Sequence, residues 1–231
     1  MTKLRLLSAG AAQGVVSALA AGFAARNGCE LIATFQAVGA LKERLAAGEH
    51  SDVLISTSAM VGEFARESRV LAETVAVLGR VETGIAVRES DPAPSIGTRE
   101  ALHASLAAAP AVYFPDPTRA TAGIHFAKVL RALELDTALA QRLHPHPNGA
   151  AAMAALARAG AGSIGCTQVT EIRSTPGVRL VGVLPEPFAL ATAYAVAVCS
   201  ATRHLSLARE LARMLSGPES AELRRRCGFE P

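Results

Sequence analysis

Short unbroken apolar runs alternate along the chain with stretches in which apolar residues recur at helical spacing. The run from Lys3 to Ser8 predicts a short buried strand. Behind it, Val16, Leu19, Ala20 and Phe23 stand at i, i+3, i+4 and i+7, one face of an amphipathic helix. The alternation continues with strands at Leu31 to Phe35 and Val53 to Ser56, helices at Ala40 to Ala47 and Ala59 to Glu67, and an extended stretch from Val75 to Val87. Further on, helices are predicted over Arg99 to Ala108, Thr121 to Leu133, Asp136 to Leu143 and Ala150 to Ala159. Strands fall at Ala111 to Phe114, Ser163 to Cys166, Val178 to Leu184 and Ala193 to Val198. A helical tail, Leu205 to Arg226, is broken near Gly217 and Pro218. Strands alternating with helices predict an α/β fold whose sheets are mostly parallel and flanked by helices.

Length and composition narrow this further. The 231 residues suit one large domain or two lobes of about 100 residues each. Half of the residues are hydrophobic and 19% are charged, which excludes disorder. The net charge of +3 is too small to imply a nucleic-acid partner, and the run Arg224-Arg225-Arg226 reads as a solvated helix face. Cys29, Cys166, Cys199 and Cys227 are far apart and form no CxxC or Cys/His cluster, so buried thiols are expected and no metal site. No GxSxG, HExxH or phosphate-loop sequence is present, and no cofactor is expected.

Lys3 and Arg5 before the uncharged stretch from Leu6 to Ala25 mimic a secretory leader. Gly10, Gln13, Gly14 and Gly22 interrupt that stretch, and its helical periodicity assigns it to the mature fold as strand, turn and helix. On that reading the protein carries no export signal and resides in the cytoplasm. No later stretch approaches the length of a membrane span.

In open parallel sheets, ligands bind beyond the carboxyl ends of the strands, where helix N-termini offer free N–H groups to anions. In the turn from Ser8 to Gln13, Gly10 and Ala11 are small enough for a ligand to reach the backbone, and Gln13 adds a side-chain donor. The turn Gln36-Ala37-Val38-Gly39 opens the next helix, and Ser56-Thr57-Ser58 sets three hydroxyls after a buried strand. A fourth turn, Asp116 to Gly123, holds Thr118, Arg119 and Thr121. There Thr121 reads as a helix cap and Arg119 as a bidentate carboxylate clamp. Each turn also has a plainer use: tight packing, a surface loop, capping by Ser58, or an exposed Arg beside a cap. His125, one turn into the helix after Thr121, is either an acid/base group or a half-buried structural histidine. His144 and His146 lie in a His-Pro-His-Pro-Asn segment read as a rigid loop.

The order of these turns resembles the molybdate-binding branch of the periplasmic binding proteins, with their two-lobed type II fold. The stretches that carry it are Leu6 to Ala12, Phe35 to Leu41, Ser51 to Ser56, Asp116-Pro117 with Thr121-Ala122-Gly123, Tyr194 to Val198, and Cys227-Gly228-Phe229. They span nearly the whole chain. The resemblance implies lobe I of residues 1–83 and 185–231 and lobe II of residues 84–184. It also implies hinges near 81–84 and 185–190 and closure on a ligand in the cleft between the lobes. It gives Tyr194 a ligand-facing role, beside its plainer use in core packing. The family's oxyanion site takes a Ser from the first turn and another from the second, and those positions here are Ala11 and Val38. Two hydroxyl donors, each worth about 0.5–1.5 kcal/mol, are thereby lost, and Val38 puts apolar surface where a tetrahedral oxyanion would sit. Gln13, Gln36, Thr118, Arg119 and the mid-chain helix N-terminus suit an organic carboxylate better.

Two functions are expected from this, in order. The first is a solute-binding protein that closes on a small anion, more readily an organic carboxylate than molybdate, with a permease partner left open. The second is an enzyme on a scaffold that resembles that of the aconitate isomerases. It would be a metal-free isomerase of a polycarboxylate, with Arg119 as clamp and His125 or Tyr194 as proton carrier.

Overall fold

The first apolar run becomes β1 (Thr2–Ala9) in the computed structural model, which describes residues Met1–Pro231. A 3₁₀ turn, Gly10–Ala12, leads into α1 (Gln13–Asn27), followed by β2 (Cys29–Gln36), α2 (Val38–Ala46), β3 (Val53–Thr57), α3 (Ser58–Arg66) and the long β4 (Ala76–Arg88). Next come α4 (Arg99–Ala108), β5 (Val112–Pro115), α5 (Thr121–Ala132), β6 (Leu143–His146), α6 (Gly149–Leu156), β7 (Ile164–Gln168) and α7 (Val169–Arg173). The chain ends with β8 (Val178–Val183), β9 (Ala191–Val198), α8 (Leu205–Ser216) and α9 (Ala221–Cys227).

These elements form two compact units, Met1–Val81 with Thr192–Pro231, and Glu82–Ala191. Strands β4 and β9 carry the chain from one to the other. The second boundary falls after Ala191, later than the expected 184/185, because residues 185–191 pack into the second unit. Phe188 is buried in that unit's core, its carbonyl oxygen lies 2.8 Å from His125 Nε2, and Leu190 O accepts the Thr83 N–H at 2.9 Å.

In the first unit β1 runs parallel to both β2 and β3, and β9 pairs antiparallel with β3. Strand β3 is buried from Val53 to Ser56 because neighbours cover both of its faces. Leu4, Leu6, Leu7, Val15, Val16 and Phe23 are each at most 3% exposed. At about 1.5–3 kcal/mol per fully buried side chain, they match the about 5–15 kcal/mol of net stability typical of a domain. The leader-like stretch is therefore core, and its removal would unfold this unit. Gly28 ends α1 in a left-handed conformation, φ 58°, and its N–H bonds Ala24 O. On α8, Ala208, Leu211, Ala212 and Leu215 form one buried stripe at helical spacing.

In the second unit β5 runs parallel to β6 and β7, while β4 pairs antiparallel with β7 and β8. The sheets are thus parallel where strands and helices alternate and antiparallel where β4 and β9 join them. Ala122, Phe126, Val129 and Leu130 of α5 bury one face against this sheet's core. The helix expected over Asp136 to Leu143 does not form. Turns and a short 3₁₀ segment, Ala140–Arg142, stand there, and the Arg142 guanidinium ties them down on Ala107 O (3.0 Å) and Ala109 O (2.9 Å). The His-Pro-His-Pro segment is not a free loop but the edge strand β6, paired with β5 from Val112↔Leu143 to Pro115↔His146. Proline is tolerated there because one side of an edge strand needs no donor. Tyr113 stacks on His144, with ring centroids 5.0 Å apart. The short α7 lies where no helix was expected.

Candidate functional site

Because β1, β2 and β3 are parallel, their C-terminal ends lie along one edge of the first unit. Ala9 stands opposite Gln36, and Ser8 opposite both Phe35 and Ile55. Helices α1 and α2 begin at this edge with Ala12 and Ala37 at their cap positions, no side-chain cap bond and no acidic residue in the first turn. Their leading N–H groups and positive dipole ends are not neutralised by their own side chains. Gly10, Gln13, Gln36 and Val38 are half-buried on this edge, whereas Ala11 is packed inward at 3% exposure.

The hydroxyl triplet divides differently from expectation. Ser56 is fully buried and donates to Met60 Sδ at 3.0 Å. Thr57, not Ser58, caps α3, its Oγ1 accepting the Met60 N–H at 3.4 Å. Ser58 Oγ is buried without a partner, and nothing local in the sequence distinguished it from its neighbours. Tyr194, opposite Thr57 in the β3–β9 register, is 2% exposed and meets the Phe229 ring edge-on at 6.2 Å.

In the second unit the turns after β5, β6 and β7 share an edge for the same reason. After β5, Asp116 Oδ1 accepts the Thr118 Oγ1–H (2.6 Å), the Thr118 N–H (2.7 Å) and the Arg119 N–H (3.1 Å). The Thr118 hydroxyl bond is the largest cause holding the Asp116 carboxyl below the usual range. Thr118, expected as a ligand donor, is therefore committed to the chain's own carboxylate. Thr118 and Arg119 are exposed. Thr121 is the first helical residue of α5 rather than its cap. Ala120 holds the cap position, with no side-chain bond and no acidic residue in the first turn, so this N-terminus resembles those of α1 and α2. A carbonyl only accepts, so His125 Nε2 carries the proton it shares with Phe188 O.

The next two turns are closed internally. Asn148 Oδ1 caps α6 by accepting the Ala151 N–H at 2.8 Å. The buried Glu171 carboxylate accepts the Thr167 Oγ1–H at 2.6 Å and the N–H groups of Gln168, Gly149 and Ala150. One side chain thus closes the N-termini of both α6 and α7. Burial pushes its pKa up and these hydrogen bonds oppose the rise. Beside it Thr83 Oγ1, Gln168 Oε1 and Nε2, and Thr170 Oγ1 are buried with no hydrogen-bond partner. The sequence reading passed over this cluster. The capping-box spacing of Gln168 and Glu171 was the available signal.

A cavity of about 310 Å³ opens at the other edge of the first unit, between Leu45, His50, Phe64, Arg69 and Cys199. Several polar groups in and beside it are engaged within the chain. Ser51 Oγ donates to Val53 O (2.7 Å), Asp52 accepts from Arg5 N (2.7 Å) and Thr202 Oγ1 (2.6 Å), and Arg69 Nη2 donates to Leu45 O (2.5 Å). Burial pushes the Cys199 thiol up to about 12. The strand-end turns are the better candidate site.

Two α/β units with helix N-termini gathered at the ends of parallel strands define the architecture of the periplasmic binding proteins. The chain belongs to the bacterial extracellular solute-binding protein family, whose model matches residues 4–230. Its fold is similar to that of the periplasmic molybdate-binding protein of Azotobacter vinelandii, with a TM-score of 0.79, 15% identity and 99% of each chain covered. It is also similar to that of the sulfate-binding protein of Mycobacterium tuberculosis, with a TM-score of 0.74, 17% identity, and 100% of this chain and 87% of that one covered. In sequence it is 26% identical to aconitate isomerase from a Pseudomonas species over 237 aligned positions, 100% of this chain and 88% of that protein. No helix is long and apolar enough to cross a membrane.

Proposed function

We propose that this solute-binding protein takes a small organic carboxylate rather than a tetrahedral oxyanion. The observation that carries the reading is the contrast among helix starts. At the carboxyl ends of the parallel strands, helices α1, α2 and α5 begin uncapped and free of acidic residues, whereas α3 and α6 carry side-chain caps; α8 also begins uncapped, but at the opposite edge of the first unit. Open N-termini attract negative charge. At two of them the residues nearest the amides are Ala11 and Val38, which offer no hydroxyl, while Gln13 and Gln36 offer planar amides. Arg119 adds a bidentate donor fork at the third. We leave Thr118 and Ser56 out of this set, because their hydroxyls are bonded within the chain.

The 26% identity to aconitate isomerase favours one second reading, turnover of a polycarboxylate. Tyr194 and His125 remain the proton carriers proposed for it, His125 through its Nδ1 because Nε2 is held by Phe188 O. A thermal-shift panel of di- and tricarboxylates beside molybdate, tungstate and sulfate tests the main reading. Stabilisation by carboxylates alone supports it, and a strong molybdate shift overturns it. Heavy water separates the two readings, since a binder leaves the carbon-bound protons of its ligand unexchanged and an isomerase exchanges one. Residence and partner go together: an exported copy serves a permease, and a cytoplasmic copy, as the sequence reading expects, does not. Cell fractionation with N-terminal sequencing of the native protein distinguishes them.

A further inference from the structure

We propose that Gln168, with Thr83 and Thr170, forms a recognition site in the second unit for an uncharged hydroxyl group of the ligand, so that the carboxylate it takes is a hydroxy acid. This rests on the carboxylate reading above and deepens it. Thr83 stands directly opposite Gln168 in the β4–β7 pairing. The Thr83 N–H goes to Leu190 O and its carbonyl accepts the Leu184 N–H, so its backbone points away from β7. The two residues are therefore a non-hydrogen-bonded pair, the closer of the two antiparallel arrangements for side chains. Thr170 follows Gln168 by two residues, in the first turn of α7. All three side chains are at most 3% exposed, yet four of their polar atoms lack a partner, both ends of the Gln168 amide among them.

Buried polar atoms are seldom left unpaired unless something else is meant to meet them. The chemistry of these atoms limits what that is. A primary amide presents donors and an acceptor side by side. A carboxylate or a deprotonated oxyanion only accepts, so it would satisfy Nε2 and the threonine hydroxyls and leave Oε1 unpaired. A hydroxyl both donates to Oε1 and accepts from Nε2 or a threonine. Charge argues the same way. The Glu171 carboxyl accepts the Gln168 N–H and already closes the N-termini of α6 and α7, so no open helix start is left here to attract an anionic group. A carboxylate of the ligand then belongs at the open start of α5 in the same unit, and its hydroxyl at Gln168.

Titration calorimetry with two pairs of probes tests this: citrate against tricarballylate, and malate against succinate. The members of each pair differ only by a hydroxyl. A site built around a hydroxyl rejects the analogue that lacks it, so at least one hydroxylated member should bind about tenfold or more tighter than its partner. Gln168→Leu should reduce that preference to within about threefold while leaving the non-hydroxylated probe's affinity unchanged. The ligand-free variant should melt no lower than the native protein, because it loses unpaired polar atoms rather than bonds. Thr83→Val and Thr170→Val should each lower the preference partway and supply the reading if Gln168→Leu does not fold. Equal affinity within both pairs, or a preference that survives all three substitutions, overturns this inference alone. Binding of oxyanions with no carboxylate bound overturns the carboxylate reading and this inference together.

Discussion

The Glu171 carboxylate lies against the backbone of Gly149 so closely that a Cβ at position 149 would overlap it, and would also overlap the Thr167 hydroxyl. That contact joins the turns after β6 and β7 and decides which helix N-termini of the second unit stay open. With its own carboxylate at α6 and α7, the unit leaves only α5 uncapped at this edge. The fold thus carries an internal carboxyl group at these turns, and the remaining open amides are where the proposed ligand is expected.

Gly149→Ala puts a methyl group into space held by buried polar atoms. Either Glu171 moves and several donors lose their acceptor, or the turn shifts. The expected loss is about 2–4 kcal/mol of stability, read by urea unfolding. A midpoint unchanged from the native protein would remove Glu171 from the role given to it.

Glu171 also makes stability depend on pH. Burial raises its pKa in the folded state, so the fold holds the proton more tightly than the unfolded chain does. Its contribution is fully present below the ordinary glutamate value of about 4.3 and is lost as pH rises through the raised folded value. The stability of the native protein relative to Glu171→Gln should therefore fall as pH is raised across that window. Melting curves at a series of pH values check the sign. A difference that grows with pH would contradict the assignment.

Arg119→Ala is expected to weaken carboxylate binding by more than tenfold, which corresponds to about 1.4 kcal/mol or more. The melting temperature of the free protein should scarcely change, because the side chain is exposed and the turn is organised by backbone N–H groups on Asp116. Calorimetry with the best ligand of the thermal-shift panel measures this. An unaltered affinity places the clamp elsewhere.

All four cysteines are free thiols, three buried and Cys227 half-buried. Burial pushes Cys199 up to about 12 and raises Cys166 well above the usual thiol value. At pH 8 a thiol near 12 is about one part in ten thousand thiolate. A thiol reagent should label at most Cys227 within minutes in the native protein and the remaining three only after denaturation. Rapid labelling of Cys199 would mean that its cavity opens far more than its packing indicates.

Much of the architecture can be read from the chain because its cause is local. The spacing of Val16, Leu19, Ala20 and Phe23 predicted α1, and α1 buries Val16 and Phe23 fully with Leu19 and Ala20 half-buried. Small and polar residues after apolar runs marked the turns at Gly10, Gln36, Thr57 and Asp116, all of which stand at strand ends. The strand β6 was missed because two prolines read as a loop, and only the neighbouring β5 makes the segment a strand. Helix α7 is too short to show a period of its own.

The alternation of strands and helices, the family and the positions of the strand-end turns were thus determined by patterns a few residues long. Which hydroxyls are free was decided by tertiary structure. Ser56 meets Met60 Sδ, Thr57 caps a helix and Ser58 finds no partner, although in sequence the three look equivalent. Glu171 and Gly149 are far apart along the chain and meet only because β6 and β7 flank β5. Hydrogen bonds are short-ranged and directional, so whether a polar atom is satisfied depends on what folding brings within about 3 Å of it. No spacing along the chain records that.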